Sequence, residues 1–260
     1  MPSPARDSQP PARHVALIAD GNRRWARGRG LPVAAGYEAG ADTLRARLAD
    51  AIELGVEELS VYSFSTENWS RPAEEIRELI ATLAARIEKE TPELHADGVC
   101  MRFIGRRDEA SDELGALMDW AESLTRANRR ITLCVAFNYG GRAEILDAVK
   151  RFQGGTEEDL RRCLYAPELH DPDVIIRTGG EQRLSNYLLW QAAYSELVFR
   201  EEMWPDFSRA AFADSLERFS TRSRRFGGRA ADSPPSEPPG EAHRLELRRV
   251  TTALEERSIR

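Results

Sequence analysis

Residues 174–191 read V-I-I-R-T-G-G-E-Q-R-L-S-N-Y-L-L-W-Q, and the fold is decided there. An apolar run of strand length ends in Arg177, turns at Gly179-Gly180, and delivers Glu181, Arg183 and Ser185 where an amphipathic segment begins. A sheet that ends this way offers cations, a hydroxyl and bare amides to an anion. Residues 14–25, H-V-A-L-I-A-D-G-N-R-R-W, repeat the logic near the amino terminus. Two such junctions imply two phosphate-bearing substrates.

Working outward, apolar runs bounded by turn residues recur at 15–19, 59–64, 99–104, 131–137, 174–176 and 197–199. They are continuous rather than alternating, as strands buried on both faces should be. Helical spacing fills the intervals. Leu44, Leu48, Ala51 and Ile52 share a face within 34–54, and Ile76, Leu79, Ile80, Leu83 and Ile87 follow Arg71-Pro72. Further helices fit 111–126, 141–152 and 208–220. Regular alternation of strand and helix predicts one α/β domain with right-handed crossovers and a six-stranded, mostly parallel sheet flanked by helices. The domain is expected over 14–228, between a flexible amino-terminal segment, 1–13, and a flexible tail, 229–260. Residues 230–240 are rich in Pro, Ser, Ala and acids, too poor in apolar side chains for a core. Residues 241–258 carry enough Leu and charge only for a marginal helix.

The chain has 260 residues, 41% of them hydrophobic, which is ample for a core. A net charge of −6 argues against generic nucleic-acid binding, which needs a basic surface. Cys100, Cys134 and Cys163 are odd in number and far apart, so they read as buried thiols of a reducing cytoplasm. No segment has the roughly 20 apolar residues that span a bilayer, and residues 1–13 lack a signal-peptide core, so any membrane contact is expected to be peripheral.

Asp20-Gly21-Asn22 alone is a common turn. Its place at the end of a buried strand, with Arg23 and Arg24 at a helix amino terminus, makes it a diphosphate site as well. An Asp beside a polyphosphate needs a bridging cation, and Mg²⁺ favours few carboxylates plus phosphate and water oxygens. Residues 62–72, Y-S-F-S-T-E-N-W-S-R-P, admit two readings: Ser70 as an N-cap ahead of Pro72, and Ser65, Asn68, Trp69 and Arg71 as a functional rim. Asn138-Tyr139-Gly140-Gly141-Arg142 forms a third rim. The Arg222 to Gly228 patch is either a solvated charge run or a cationic arm. The four His residues show no metal-ligand spacing, and no Walker, G-x-G-x-x-G, C-x-x-C or G-x-S-x-G motif is present.

In order, D-G-N-R-R-W-A, Y-S-F-S-T-E-N-W-S-R-P, N-Y-G-G-R-A-E-I, I-R-T-G-G-E-Q-R-L-S-N, Y-S-E-L-V-F with W-P-D-F, and R-R-F-G-G strongly resemble the cis-prenyltransferase family, typified by undecaprenyl diphosphate synthase. The resemblance implies a homodimer whose subunits each hold an apolar tunnel for a growing isoprenoid. By it, Asp20 is the essential carboxylate on Mg²⁺ at the allylic diphosphate, Gly21, Asn22, Arg23 and Arg24 form the diphosphate loop, and Trp25 is a further substrate-binding residue. Arg177, Arg183 and Ser185 make the second diphosphate site, completed by Arg225, Phe226, Gly227 and Gly228 of the neighbouring subunit. Glu196 reaches a metal across the dimer. Ser65, Asn68, Trp69 and Arg71 orient the reacting carbons and assist proton removal, and Phe64 and Trp69 are the aromatic faces expected to shelter the allylic cation.

The chain departs from that pattern where the family's Gly-His is Gly36-Tyr37, where an Arg four residues earlier is Val33, and where a third His is Gln182. Tyr37 therefore stands at the allylic diphosphate position, and Arg23 partly compensates. Similar replacements belong to lavandulyl-type members, which couple two allylic diphosphates head-to-middle. Three functions follow as expectations: a prenyl diphosphate synthase adding a second isoprenoid diphosphate to a dimethylallyl, geranyl or farnesyl diphosphate to give a short product, the head-to-middle alternative, or an inactive partner subunit of a heteromer.

Overall fold

The computed structural model describes residues 12–107 and 110–221. Most of the expected amino-terminal segment, Arg225, Phe226, Gly227 and Gly228 of the cationic arm, and the tail 229–260 lie outside the described residues.

The elements run β1 (His14–Ile18), α1 (Asn22–Gly28), α2 (Val33–Glu53), β2 (Glu58–Tyr62), α3 (Ala73–Ala96), β3 (Val99–Ile104), α4 (Asp112–Thr125), β4 (Ile131–Ala136), α5 (Gly141–Arg151), α6 (Glu157–Arg161), β5 (Val174–Arg177), β6 (Glu196–Phe199) and α7 (Arg209–Thr221). Strand order is β3-β4-β2-β1-β5-β6, and every pairing is parallel, so the sheet is wholly rather than mostly parallel. Successive strand residues point to opposite faces. Accordingly Leu17, Leu59, Val61, Leu133, Val135 and Ile176 join Leu48, Ile87, Leu114, Met118 and Phe212 from the helices in one core. Ala16, Ile18, Cys134, Ala136 and Ile175 pack with Tyr139, Tyr187 and Leu188 on the other face. Burial pushes the Cys134 thiol up to about 12, so it is an inert core group.

β1 lies between β2 and β5, so the chain leaves it toward one side of the sheet and later returns on the other. A crevice opens at the carboxyl ends of strands at such a switch point. Asp20 follows β1 and Arg177 ends β5, and their strands are in register through Ile18 and Arg177.

Two local expectations are corrected. Ser70 does not cap α3: its hydroxyl donates to the Glu67 carbonyl at 2.7 Å, and the helix starts behind Pro72 with no side-chain cap. The capping falls instead to Ser65 and Asn68, which close the 3-10 turn Thr66–Ser70 reciprocally. Also, α6 was not expected. Its five residues start on Thr156 with Asp159 in a second capping box.

At the amino end of the sheet His14 is 2% exposed. Its Nδ1 lies 2.6 Å from the His170 carbonyl, an acceptor, and its Nε2 lies 2.7 Å from the Ser60 hydroxyl. The neutral tautomer with Nδ1–H donating and Nε2 accepting satisfies both. Burial holds the pKa below the ordinary 6.5, outweighing the carboxylates of Glu58 and Asp173, which push it up. An unfolded His takes up a proton near pH 6.5 while the folded one resists, so this contribution is complete above that pH and is lost as pH falls. Urea denaturation should show stability declining from pH 7 to 5 by up to ~1.4 kcal/mol per pH unit from this group, a slope that His14→Gln should flatten. Equal slopes in the two proteins would contradict the assignment.

Candidate active site

The Asp20 carboxylate receives Arg177 Nη2 on Oδ2 at 2.8 Å and Arg24 Nη2 on Oδ1 at 3.3 Å. Its backbone is fixed to the next strand: the Thr178 hydroxyl accepts from Asp20 N at 3.1 Å and donates to Asp20 O at 2.8 Å. Gly179 follows with φ of 84°, and a Cβ there would stand 2.6 Å from Arg24 Nη2. Glycine is thus required both for the backbone turn and for Arg24 to lie against the strand end.

Arg177 is 4% exposed. Besides Asp20, its Nη1 donates to the Arg183 carbonyl at 2.5 Å and to Ser185 Oγ at 2.7 Å. Ser185 and Asn186 both have left-handed φ, 49° and 65°, so the loop bends back over the guanidinium. Among the described residues Arg177 Nε, though buried, has no acceptor. A buried donor left unpaired costs about 1–3 kcal/mol, and an anion in the crevice would relieve it. The Arg183 side chain is exposed and donates to Glu181 at 2.6 Å.

On the opposite wall Ser65 N donates to Asn68 Oδ1 at 3.1 Å, and Arg71 Nη1 donates to Glu75 Oε1 at 3.1 Å and to the Tyr37 hydroxyl at 3.3 Å. The Tyr37 hydroxyl itself donates to Glu75 Oε1 at 2.7 Å, and Arg23 Nη1 reaches the same oxygen at 3.3 Å. α1 and α2 meet closely enough to allow this because a Cβ at Gly36 would fall 2.3 Å from the Asn22 carbonyl.

Asp20, Asn22, Tyr37, Ser65, Asn68, Arg71, Arg177 and Ser185 line one open cavity of about 540 Å³. A second, of about 150 Å³, runs between the sheet and α2 and α3, walled by Leu44, Leu83, Ile87, Leu94, Phe103, Leu133 and Val135. Ala19, Asn22, Tyr37, Tyr62, Ser63 and Leu79 border both, so a polar vestibule opens into an apolar pocket through a neck.

Several expected site residues lie elsewhere. Phe64 is core, 2% exposed, stacked on Phe137 at 5.5 Å and meeting Trp69 edge-on at 5.0 Å. Trp69 donates its indole N–H to Asn138 at 2.8 Å. Neither lines the two cavities described above, whose shared aromatic side chains are Tyr37 and Tyr62, the latter stacked on Tyr187 at 4.4 Å. Trp25 pins α1: its indole donates to Asp206 at 2.8 Å, and Arg29 stacks on the ring at 4.3 Å while donating to the same carboxylate. Gly21 is the N-cap of α1. Asn22 donates to the Ala19 carbonyl at 3.0 Å and leaves Oδ1 buried without a partner among the described residues. Glu196 pairs with Val174 at the amino end of β6, so a strand length separates it from Arg177, which pairs with Phe199.

The Prenyltransf family model, described as "Putative undecaprenyl diphosphate synthase", matches residues 18–227. The chain belongs to the cis-prenyltransferase family. This prenyltransferase is 50% identical over 229 residues to "Isoprenyl transferase 2" of Bradyrhizobium diazoefficiens, across 84% of the chain and 91% of that protein. It is 46% identical over 226 residues to the ditrans,polycis-undecaprenyl-diphosphate synthase ((2E,6E)-farnesyl-diphosphate specific) of Pseudomonas aeruginosa, across 83% of the chain and 90% of that protein. Among solved structures, lavandulyl diphosphate synthase of Lavandula x intermedia, in complex with dimethylallyl diphosphate, superposes with a TM-score of 0.81 at 29% identity, across 84% of the chain and 98% of that one. The six-stranded α/β architecture is the family's, and the chain is a prenyltransferase. No helix among its described residues is long and apolar enough to cross a membrane.

Proposed function

We propose that the enzyme condenses an allylic diphosphate with a second isoprenoid diphosphate at the vestibule, releases diphosphate, and houses the hydrocarbon in the apolar pocket. One observation carries this reading: the cavity bearing Asp20, Arg71 and Arg177 shares a neck with a cavity walled mostly by apolar side chains. At about 150 Å³ the apolar pocket has room for a body of about one isoprenyl unit, which is consistent with a short product.

Reaction begins as the allylic C–O bond breaks and its electron pair leaves with diphosphate. Arg177 and Arg24 at Asp20, with Arg23 and Arg71 opposite, stand ready for the charge that develops, and such preplaced groups supply the largest share of catalysis in sites of this type. The neutral Tyr62 ring at the neck faces the allylic cation, an attraction of ~1–2 kcal/mol when desolvated. The alkene of the second substrate closes the new C–C bond, and transfer of a proton from the resulting cation to the departed diphosphate restores the double bond. Ser65 and Asn68, held rigid by their mutual cap, orient that step. The roles assigned to Gly21, Asn22, Arg183 and Ser185 as diphosphate contacts belong to the same proposal.

Mg²⁺ fits Asp20. Among the described residues no three His, Cys, Asp or Glu side chains cluster as a protein-made metal site, and a diphosphate-borne Mg²⁺ needs only one or two carboxylates. The Asp20 side chain is 31% exposed toward the vestibule. When bound, the ion supplies Lewis-acid neutralisation of the leaving group.

A cytoplasmic homodimer belongs to the proposal. Leu146 and Val149, one turn apart on α5, are 61% and 53% exposed, an apolar surface suited to a second copy. Glu196 would contribute to the site only across such a contact.

Head-to-middle coupling of two allylic diphosphates is the second reading, favoured by the likeness to lavandulyl diphosphate synthase and by Val33 and Tyr37 standing where cations are usual. Purified enzyme should be given Mg²⁺ and dimethylallyl, geranyl or farnesyl diphosphate, each with labelled isopentenyl diphosphate. Label in the product is expected from head-to-tail addition, and unlabelled branched product from allylic substrate alone establishes head-to-middle coupling. No turnover by the homomer under any pairing would leave the inactive-partner reading standing.

A further inference from the structure

Four arginines around the vestibule are held in pairs by two carboxylates. Asp20 takes Arg177 and Arg24. Glu75 takes Arg71 and Arg23, which come from different parts of the chain, Arg71 from the end of the 3-10 turn Thr66–Ser70 and Arg23 from α1. The two acids differ in setting. Asp20 is open to a hydrated cation, whereas the Glu75 side chain is 10% exposed beneath Tyr37. A metal arriving at Asp20 would release Arg177 and Arg24 to diphosphate, but Glu75 offers a metal no such approach.

The geometry at Glu75 shows how its arginines are released instead. Tyr37 at 2.7 Å, Arg71 at 3.1 Å and Arg23 at 3.3 Å all crowd onto Oε1. One carboxylate oxygen serves two donors well, and charge-assisted bonds ordinarily close to 2.7–2.9 Å. The tyrosine therefore has the good bond and the guanidiniums have long ones. Burial, and then the bond to Glu75, push the Tyr37 phenol above its usual range, so it stays a donor throughout. Tyr37 also sits at the neck.

Resting on the diphosphate reading of this site, we infer that Glu75 is an internal counter-ion: it holds Arg23 and Arg71 in place, yields them to an incoming diphosphate, and is kept from following them by Tyr37. A diphosphate offers the two guanidiniums several oxygens in place of one. The carboxylate left behind repels the bound anion, which limits affinity and eases release of product diphosphate.

Calorimetric titration of the full-length enzyme with inorganic pyrophosphate tests this. Glu75→Gln keeps the shape and removes the competing charge, so pyrophosphate should bind about tenfold tighter than to wild type. Tyr37→Phe keeps the charge and removes the tether, so the carboxylate competes harder and binding should weaken, by about threefold. Opposite shifts are the signature, with thermal unfolding confirming that both variants fold. A scaffold role would weaken binding in both variants; that result, or no change in Glu75→Gln, would overturn the inference while leaving the diphosphate site intact. Wild-type protein that bound no pyrophosphate would instead overturn the reading of the site, and this inference with it.

Discussion

Asp20→Asn should lower turnover about 10³-fold while the unfolding temperature stays near that of wild type. The amide still accepts from Arg177 and still leans on the Thr178 hydroxyl through an unchanged backbone, so the strand end keeps its shape. What would be lost, on the proposed function, is the charge that holds a cation at the departing diphosphate, a loss expected to be felt in the transition state. Asp20→Ala should be as inactive and also less stable, because the buried Arg177 loses its only carboxylate among the described residues. Diphosphate release from an allylic substrate, followed beside thermal unfolding, separates the two effects. Turnover within tenfold of wild type in Asp20→Asn would remove the carboxylate from the chemistry.

What could be read beforehand followed from whether the signal was local. All six strands are legible because each is a short apolar run closed by turn residues, and parallel strands buried on both faces need nothing else. Asp20 and Arg177 are legible for the same reason, since each stands where such a run stops. Glu75 was missed because R-P-A-E-E-I looks like the acidic first turn of a solvent-exposed helix. One clue was present: Glu75 lies four residues before Leu79, on the inward stripe of α3. Its burial depends on Tyr37, Arg23 and Arg71, of which the first two arrive from distant elements. The Trp25–Asp206 pair spans 181 residues and left no local trace, so Trp25 read as a ligand contact rather than a pin. Phe64 packs in the core while Tyr62 lines the pocket because the strand ends between them, and periodicity no longer says which side chain faces the cavity.

Arg177→Lys should lower kcat/KM about 10³-fold although charge is conserved. The guanidinium has two tasks at once: Nη2 on Asp20, and Nη1 shared by the Arg183 carbonyl and Ser185 Oγ. A lysine ammonium is a single point on a flexible stem and does not reproduce a planar fork. Reaching Asp20, it abandons the 183–186 loop, whose left-handed turns at Ser185 and Asn186 are then unsupported. Reaching the loop, it leaves Asp20 to Arg24 alone. The defect should therefore fall on the KM of the second diphosphate substrate and on kcat together, with stability reduced by less than the 3–5 kcal/mol typical of deleting one partner from a buried ion pair. Arg177→Met, which deletes the charge, should cost more than Arg177→Lys but still less than that figure, because Asp20 is partly open to solvent and keeps Arg24. If Arg177→Lys instead kept kcat/KM within tenfold, positive charge alone would suffice at β5, and the forked geometry would lose its place in the account of catalysis.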